Sequence, residues 1–444
     1  MSHNAAVMRA VETLEYRVTV GDVAAQAGLD LPIAQQGLNA LAADTQAHLQ
    51  VSEAGEIAYE FPKSFRAILR NKYWRLRLAH TWSRVGGVLF YLIRISFGIV
   101  LVLSLILIVA AIAILLIALS ASQQRSDDRD SDFGGGMIYF PPYLLNDLIW
   151  FFHYDPRRGR RAAPRSNKAA RPGRDPDGMN FLEAIFSFLF GDGNPNADLE
   201  ERRWQEIGAV IQNNGGAIAA EQVVPYLDTV GSDWAADTNE DYMLPVLTRF
   251  NGVPEVSPTG DIVYHFPELQ VMAGDRHQRP VAAYLKEIPQ KFSQASGGQI
   301  AGAIALGVAN LGGAIFLGVL LQDQTLVAQI GGLVAFANGI YWLLLGYGSA
   351  FLGVPAVRAL WVKGRNAKIS QRNEQRQERA IALNEALPAL DEKIRFAQQF
   401  AARKVIDASD VAYTTAKDLT EQEYEQRDQL DAEWRKRLDA SDTV

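Results

Sequence analysis

Long apolar runs separated by very polar stretches form the main pattern along the chain. The run 95–119 contains 25 residues without a charge, proline or asparagine. As a helix it would extend about 37 Å, more than the ~30 Å hydrocarbon core of a bilayer. Two further apolar runs, 300–321 and 325–347, are separated by three polar residues. They predict a transmembrane hairpin, so the pattern as a whole indicates an α-helical integral membrane protein.

A fourth apolar segment, 137–154, is rich in aromatic residues and contains Asp147 and two prolines. It is either a second crossing or a re-entrant or interfacial segment, because aromatic rings favour the bilayer interface. Segment 181–190 is too short to cross a bilayer and predicts an interfacial helix.

Three basic clusters set the expected orientation, at 63–84, 157–174 and 358–379. Lys and Arg concentrate on the cytoplasmic side of membrane proteins. The first two clusters share a side only if an even number of crossings separates them. We therefore expect four crossings with both termini cytoplasmic; the alternative has three crossings and places the middle domain across the membrane. The residues expected to orient the chain and contact anionic lipid are Arg66, Arg70, Lys72, Arg75, Arg77, Arg84, Arg358, Lys363 and Arg365.

The polar parts contain an internal repeat. Residues 51–62 align without gaps on residues 256–267, with seven of twelve positions identical. Both segments alternate apolar and polar residues around a glycine, which predicts a β-hairpin with one buried face. A helix, a short strand and two helices are predicted before each hairpin, with Ile33, Leu38 and Leu41 inward on the third helix of the first copy. This order is that of a winged helix and predicts two cytoplasmic α+β modules.

The charge of these modules bears on their partners. Residues 1–62 contain eight acids and two arginines, and residues 204–270 contain ten acids and only Arg249 as a cation. Phosphate contacts dominate the affinity of proteins for DNA, and this surface repels phosphate. We therefore expect no nucleic-acid partner and favour protein docking.

Small residues and two asparagines characterise the predicted hairpin. Glycines and alanines at spacings of four would allow close helix packing, within the hairpin or, alternatively, against another membrane protein or a second copy. Asn310 and Asn338 lie at similar distances from Asp323, so we expect a hydrogen bond between them; a polar transport site is the alternative. The packing residues singled out are Gly298, Gly302, Gly313 and Gly318, with the stripe Ala305/Ala309/Gly313 among them.

Candidate chemistry is sparse. The chain has no cysteine, which excludes thiolate nucleophiles and Cys-ligated metals. Its six histidines are scattered without ligand spacing. Residues 190–198 place oxygen side chains at alternate positions, as a calcium loop does, or form a turn in which Asn196 caps the next helix. We expect no enzyme, no cofactor and no resident metal.

The tail 348–444 is basic near the membrane and then polar, and it predicts helices, including one over 411–419. These helices would form a hairpin packed on the other domains or, alternatively, a coiled-coil contact with a partner. The expected segments are 1–62 (module 1), 63–84 (basic juxtamembrane helix), 85–122 (first transmembrane helix), 123–136 (polar loop), 137–154 (second crossing or interfacial segment), 155–180 (basic linker), 181–203 (interfacial segment and turn), 204–270 (module 2), 271–299 (connector), 300–347 (transmembrane hairpin) and 348–444 (juxtamembrane and helical tail).

Three motifs carry a resemblance: FSFLFGDGNPN at 186–196, the repeated G-[ED]-I-x-Y-x-F-P element, and the tail segment 408–419. The chain resembles a family of uncharacterised membrane proteins shared by cyanobacteria and plant chloroplasts. The resemblance implies a thylakoid or plasma membrane location. Some members of that family are labelled iron–sulfur cluster biosynthesis proteins, but a chain without cysteine cannot hold a cluster through thiolates.

Together these features predict a non-enzymatic membrane scaffold or assembly factor with acidic protein-docking modules. A transporter or channel subunit, and a membrane-tethered transcription regulator, are the alternatives.

Overall fold

The computed structural model describes residues 4–72, 74–123, 179–228, 230, 240–275, 278–407 and 410–422, together with positions 424, 427, 431, 434 and 435. The predicted crossing 137–154 and the basic segment 157–174 lie outside these residues. The chain divides into two compact units: Met1–Thr81, Pro195–Pro289 and Ala367–Val444 form unit 1, and Trp82–Asn194 and Gln290–Asn366 form unit 2.

The described chain is mostly helical, with three small sheets. The helices are α1 (Ala5–Thr13), α2 (Val20–Ala27), α3 (Leu31–Thr45), α4 (Phe65–Lys72), α5 (Trp74–Gln123), α6 (Phe181–Phe190), α7 (Leu199–Asn213), α8 (Leu244–Phe250), α9 (Pro267–Gln270), α10 (Gly297–Leu320), α11 (Gln324–Ile330), α12 (Gly332–Gly339) and α13 (Tyr341–Gln398). The strands are β1 (Arg17–Val18), β2 (His48–Ser52), β3 (Ile57–Glu60), β4 (Ala217–Ala219), β5 (Val253–Val256), β6 (Ile262–His265), β7 (Val271–Met272), β8 (Lys404–Val405) and β9 (Val411–Thr414), and 3₁₀ helices cover Ala220–Tyr226 and Asp241–Met243.

Unit 1 contains the internal repeat as two copies with one topology. The first copy runs α1, β1, α2, α3, β2, β3, and its strands are ordered β1–β3–β2 in an antiparallel arrangement. In the second copy α7, β4, the two 3₁₀ helices with α8, β5 and β6 follow in the same sequence, and the strands are ordered β4–β6–β5. The duplication detected in the hairpins therefore extends over both copies.

Local signals explain the ends of α2. Thr19 and Asp22 form a capping box, in which each side chain accepts a hydrogen bond from the backbone of the other residue. Gly28 ends the helix with φ 64°, a left-handed conformation that favours glycine. On α3, by contrast, the expectation for Ile33 is wrong: its side chain is 45% exposed and Ala34 is buried in its place.

The two copies pack against each other through α2 and α7 and share one hydrophobic core. At their contact, a Cβ added to Gly208 would lie 2.9 Å from the Cα of Ala25. The small residues Ala25 and Gly208 thus allow α2 and α7 to approach closely. With a shared core, the two copies form one body rather than two separate modules.

The tail differs from the helical prediction. Residues 411–414 form β9, an edge strand that pairs antiparallel with β2 of the first copy, and not a helix. Valine, tyrosine and threonine suit a half-exposed strand, and the free edge of β2 supplies the hydrogen-bond partners. The short strand β8 pairs with β7.

Unit 2 is an apolar helix bundle. Three helical stretches of the described chain are long and apolar enough to cross a membrane: Val85–Ala121, Gly297–Leu320 and Tyr341–Ala386. The second half of the predicted hairpin is therefore wrong, because 325–347 is not one helix. Gly331 and Gly332, with φ 61° and 51°, interrupt it and divide α11 from α12, and the third apolar helix begins only at Tyr341.

Candidate functional site

A polar cluster at the turn after α6 occupies one end of the apolar bundle in unit 2. The Asp192 carboxylate accepts from the Arg94 guanidinium at 3.0 Å and from the backbone N–H of Gln294 at 2.8 Å. Its second oxygen also accepts from the Ser187 hydroxyl, which in turn lies 2.6 Å from the Ser293 hydroxyl. Asp192 therefore joins α5, the end of α6 and the chain that leads into α10.

Arg358 of α13 meets the same turn from the other side. Its Nη1 donates to the carbonyl of Phe188 at 2.7 Å, and its guanidinium carbon lies 4.2 Å from the centre of the Phe292 ring. The carbonyls at a helix C-terminus lack partners within the helix and carry partial negative charge. Arg358 thus caps α6, whose apolar residues pack against Leu101, Ala303 and Phe351.

This use of the turn favours a structural role for segment 190–198 over a calcium site. Asp192 is paired with an arginine, and the Asn196 side chain exchanges two hydrogen bonds, each 2.8 Å, with the backbone of Ile288. Asn196 therefore does not cap α7, as one alternative predicted. Among the described residues, no group of three His, Cys, Asp or Glu side chains could hold a metal ion.

The predicted hydrogen bond between Asn310 and Asn338 is not formed. Asn310 is completely buried, its Nδ2 donates to the Ser104 hydroxyl of α5, and its Oδ1 has no hydrogen-bond partner. Asn338 lies on the short helix α12, which the interruption at Gly331 separates from α11, so no continuous helical hairpin places the two asparagines at one depth. The polar link in the bundle therefore joins α10 to α5.

The close contacts of α10 lie partly where the glycine pattern predicted them. A Cβ at Gly313 would lie 2.9 Å from the Ile108 side chain, and one at Gly318 would overlap the Tyr341 ring. Gly298, however, faces open space, and Gly307, which was not singled out, lies against Phe351. Gly302 is half-buried, and Ala305 and Ala309 of the predicted stripe are exposed.

The basic residues expected at the lipid surface have varied surroundings. Arg66 forms an ion pair with Glu12, and its Nη2 donates to that carboxylate at 2.8 Å. Arg358 caps α6, as described above. Lys363 and Arg365 are exposed on α13, with Arg365 5.4 Å from the centre of the Trp361 ring. Arg70 is exposed on α4, and Lys72, Arg75, Arg77 and Arg84 lie on α4 and α5, where their side chains are outside the described part. Lipid contact by this set stays a prediction.

In unit 1, the cation of the second copy is used internally. Arg249 lies 2.8 Å from the Asp30 carboxylate and donates to the carbonyl of Gly28 at 2.6 Å. Its guanidinium carbon is 4.2 Å from the centre of the Trp204 ring. Arg17 of the first copy donates to Gln50 and to the carbonyl of Ile406. Neither arginine is available for a phosphate.

A network of ion pairs ties α13 to the second copy. Arg376 is 1% exposed and lies 2.5 Å from Asp228 and 3.0 Å from Glu287, which also pairs with Arg372 at 2.6 Å. Burial alone would raise the pKa of Asp228, but the hydrogen bonds and charges of Arg376 and Arg203 outweigh burial and lower that pKa. The hydrogen bond from Arg372 likewise lowers the pKa of Glu287.

A second buried charge cluster lies further along α13. Lys393 donates to Glu221 at 2.7 Å and to Glu240 at 2.6 Å, and all three residues are more than nine-tenths buried. The second oxygen of each carboxylate is buried without a hydrogen-bond partner. Burial raises the pKa of Glu240 despite the nearby ammonium of Lys393. Burial and a hydrogen bond to Glu240 raise the pKa of Tyr264.

Sequence reasoning missed both clusters, because their members are far apart along the chain. Lys393 is separated from Glu221 by 172 residues, and Arg376 from Asp228 by 148. One signal was present: the basic stretch 358–379 lies close in sequence to apolar helical positions such as Ala380, which is buried. Some of its arginines could therefore have been assigned to the acidic second copy.

These features define a class: a protein with three described apolar helices long enough to cross a bilayer and a duplicated α+β unit. In a comparison with curated proteins, the chain is 37% identical to an uncharacterised chloroplastic protein of Arabidopsis thaliana over 448 residues, which cover 98% of this chain and 82% of the relative. The chain belongs to the family of that protein. No family model matches the sequence. No solved structure matches it. The apolar helices and the chloroplastic relative support membrane association and fit a thylakoid location.

Proposed function

We propose that this protein is a non-enzymatic membrane scaffold or assembly factor, whose two repeat copies are winged-helix-like modules that dock other proteins. Both copies have the helix–strand–helix–helix–hairpin order of that fold, and in both the first strand pairs with the third. The apolar bundle of unit 2 would anchor the modules, with the termini on the cytoplasmic side.

The observation that carries the proposal is the character of the exposed faces of the third helices. On α3 the exposed side chains are uncharged and include Ile33, which is 45% exposed. On α8, Leu244 is 66% exposed. An exposed apolar side chain on the helix that usually recognises a partner favours a protein surface over DNA.

The electrostatics of the modules support the same choice. DNA binding needs cations free to contact phosphates. Arg17 and Arg249 are engaged within unit 1, Arg9 is the one further arginine of residues 1–62 and 204–270 and is exposed, and acids outnumber cations in both copies. An acidic surface that contains exposed apolar side chains is complementary to a partner protein whose contact surface is bordered by basic residues. A transcription regulator that binds DNA therefore has no support from these residues.

Affinity purification of the tagged full-length protein from solubilised native membranes tests the proposal. We expect specific proteins with basic surfaces, lost when Ile33→Glu and Leu244→Glu are combined. Ile381→Glu is the matched control, because Ile381 is 50% exposed on α13, outside the repeat copies. Recovery of no specific protein, or of the same set by the double variant, would contradict docking through these faces.

A transporter subunit is the second candidate, favoured by the helix interruption at Gly331 within the bundle. Two observations weigh against it. Asn310 is completely buried and bound to Ser104, and the runs 95–119 and 300–321 contain no carboxylate. Ion pathways through membranes generally use ionisable side chains.

A further inference from the structure

The charges at the end of α13 do not balance. Among the described residues, two carboxylates, Glu221 and Glu240, face the single ammonium of Lys393, and all three residues are more than nine-tenths buried. With all three groups ionised the cluster carries one net negative charge. A buried charge without a counter-ion is costly, and carboxylates in such sites respond by taking up a proton.

The geometry supplies a place for that proton. Lys393 donates to Oε1 of each carboxylate, which leaves both Oε2 atoms buried and without a hydrogen-bond partner. One proton on either Oε2 would make the cluster neutral and would leave both hydrogen bonds of Lys393 in place.

We propose that Glu221, Glu240 and Lys393 form a proton-binding site, in which the uptake of one proton by the carboxylate pair tightens the attachment of the end of α13 to the second repeat copy. The three side chains come from three elements: Glu221 from the first 3₁₀ helix, Glu240 from the residue before the second, and Lys393 from α13. The cluster thus joins α13, five residues before its end at Gln398, to the second copy.

Among the described residues, groups from three other elements act on Glu240. Lys393 on α13 and the Tyr264 hydroxyl on β6 act on Glu240, and the charge of Glu221 raises the pKa of Glu240. The hydrogen bonds to Glu221 and Glu240 outweigh burial and raise the pKa of Lys393, so its charge persists at neutral pH. The raised pKa of Glu240 makes the carboxylate pair the part of the cluster that takes up a proton.

The backbone at Glu240 adds to the sensitivity of the site. Its φ of 48° lies in the left-handed region, which is uncommon for a glutamate and costs conformational energy. The contacts of its side chain must hold this conformation in place. A change in the charge of that side chain therefore acts on a strained position.

The direction of the pH effect follows from linkage. The pKa of Glu240 is raised in the folded protein, so the attached state binds the proton more tightly than the detached state. The attachment is strongest at low pH and weakens as the pH rises through the folded-state pKa. The proposal does not depend on the docking function of the modules.

Hydrogen exchange of the full-length protein in lipid nanodiscs, read by mass spectrometry on peptides from the last turns of α13, tests the site. After correction for intrinsic exchange, we expect the opening constant of these turns to rise as the pH increases above 4.5, the ordinary pKa of glutamate, by up to about tenfold per pH unit if one proton is released, and to level off above the folded-state pKa of Glu240.

Counting charges predicts the variants. Glu221→Gln and Glu240→Gln each leave one carboxylate against one ammonium, so each should show a low opening constant that does not change with pH. Lys393→Met leaves two carboxylates alone, so the pH at which opening rises should move upward. Glu392→Gln is the matched control, since Glu392 is the exposed neighbour of Lys393, and it should keep the wild-type slope. A flat wild-type profile, or a slope that survives in either glutamine variant, overturns the proposal.

Discussion

Arg358 donates a hydrogen bond of 2.7 Å to the backbone carbonyl of Phe188 and so links α13 to the C-terminus of α6. The last carbonyls of a helix lack partners within it, and here the Ser187 carbonyl accepts from the backbone N–H of Gly191, whereas the Phe188 carbonyl depends on a side chain from another helix. A single arginine supplies that partner while its guanidinium face covers the Phe292 ring. The stability of unit 2 should depend on this one side chain.

We expect Arg358→Ala to destabilise the detergent-solubilised protein by about 1–3 kcal/mol, because charge-assisted hydrogen bonds to buried carbonyls are lost. Thermal unfolding followed by circular dichroism measures the change. Arg365→Ala is the control on the same helix, since Arg365 is exposed and its guanidinium carbon lies 5.4 Å from the centre of the Trp361 ring. Equal losses in the two variants would show that Arg358 is not a cap.

The link between Ser104 and Asn310 predicts a specific coupling. In a double-mutant cycle, Ser104→Ala and Asn310→Ala should interact by about 0.5–1.5 kcal/mol, the range of hydrogen bonds between transmembrane helices. The same cycle with Asn338→Ala in place of Ser104→Ala should give no coupling, because Asn310 and Asn338 are not hydrogen-bonded. Coupling between the two asparagines would support the pairing expected from the sequence instead.

Two glycines of α10 should respond differently to alanine. At Gly307 the added Cβ would lie 2.6 Å from the Phe351 ring, so we expect a loss of about 1–3 kcal/mol from overpacking. At Gly298 the Cβ would meet nothing within 4 Å, so Gly298→Ala should be neutral or slightly stabilising. Unfolding midpoints in one detergent compare the pair directly. A neutral Gly307→Ala would show that Phe351 can move aside.

The ion pairs of α13 predict sensitivity to acid. Asp228 and Glu287 have lowered pKa values in the folded protein, so they add stability above their ordinary values of 3.8 and 4.5, and this stability is lost as the pH falls through the folded-state values. The temperature midpoint of unfolding should therefore decrease when the pH is lowered below about 4.

The variant Glu287→Gln separates this contribution. At neutral pH the free energy of unfolding should decrease by about 1–3 kcal/mol, because Arg372 and Arg376 lose a charged partner. On acidification, the variant should lose less of this free energy than the wild type does. Glu374→Gln serves as the control, because Glu374 is an exposed residue of α13, the helix that carries Arg372 and Arg376. An acid profile unchanged by Glu287→Gln would place the sensitivity elsewhere.

The elements that sequence reasoning predicted well are those in which a local pattern decides the outcome. The apolar run 95–119 lies within α5, and the hairpins of both repeat copies form as expected. The pattern was insufficient where a distant partner decides. Val411–Thr414 is a strand that pairs with the edge of β2, and on α3 Ala34 is buried whereas Ile33 is 45% exposed.

The candidate sites were even harder to predict from the sequence. Asn310 was singled out, but its partner Ser104 lies 206 residues away, and serine within an apolar run carries no distinctive signal. Hydropathy also could not detect the interruption at Gly331, since glycine is common in apolar helices and only its positive φ divides α11 from α12.

Strand β9 bears on how the sheet edges of the two repeat copies are protected from pairing with other chains. In the first copy, Leu49 of β2 accepts from the backbone of Thr415, so its outer edge is covered by the chain's own tail. Pro254 holds the corresponding place in β5, opposite Tyr264 as Leu49 is opposite Tyr59. A proline there removes an outward N–H without weakening the pairing with β6. Loss of the tail would therefore expose only the first copy to edge-to-edge aggregation. The two duplicated sheets thus protect their outer edges in different ways.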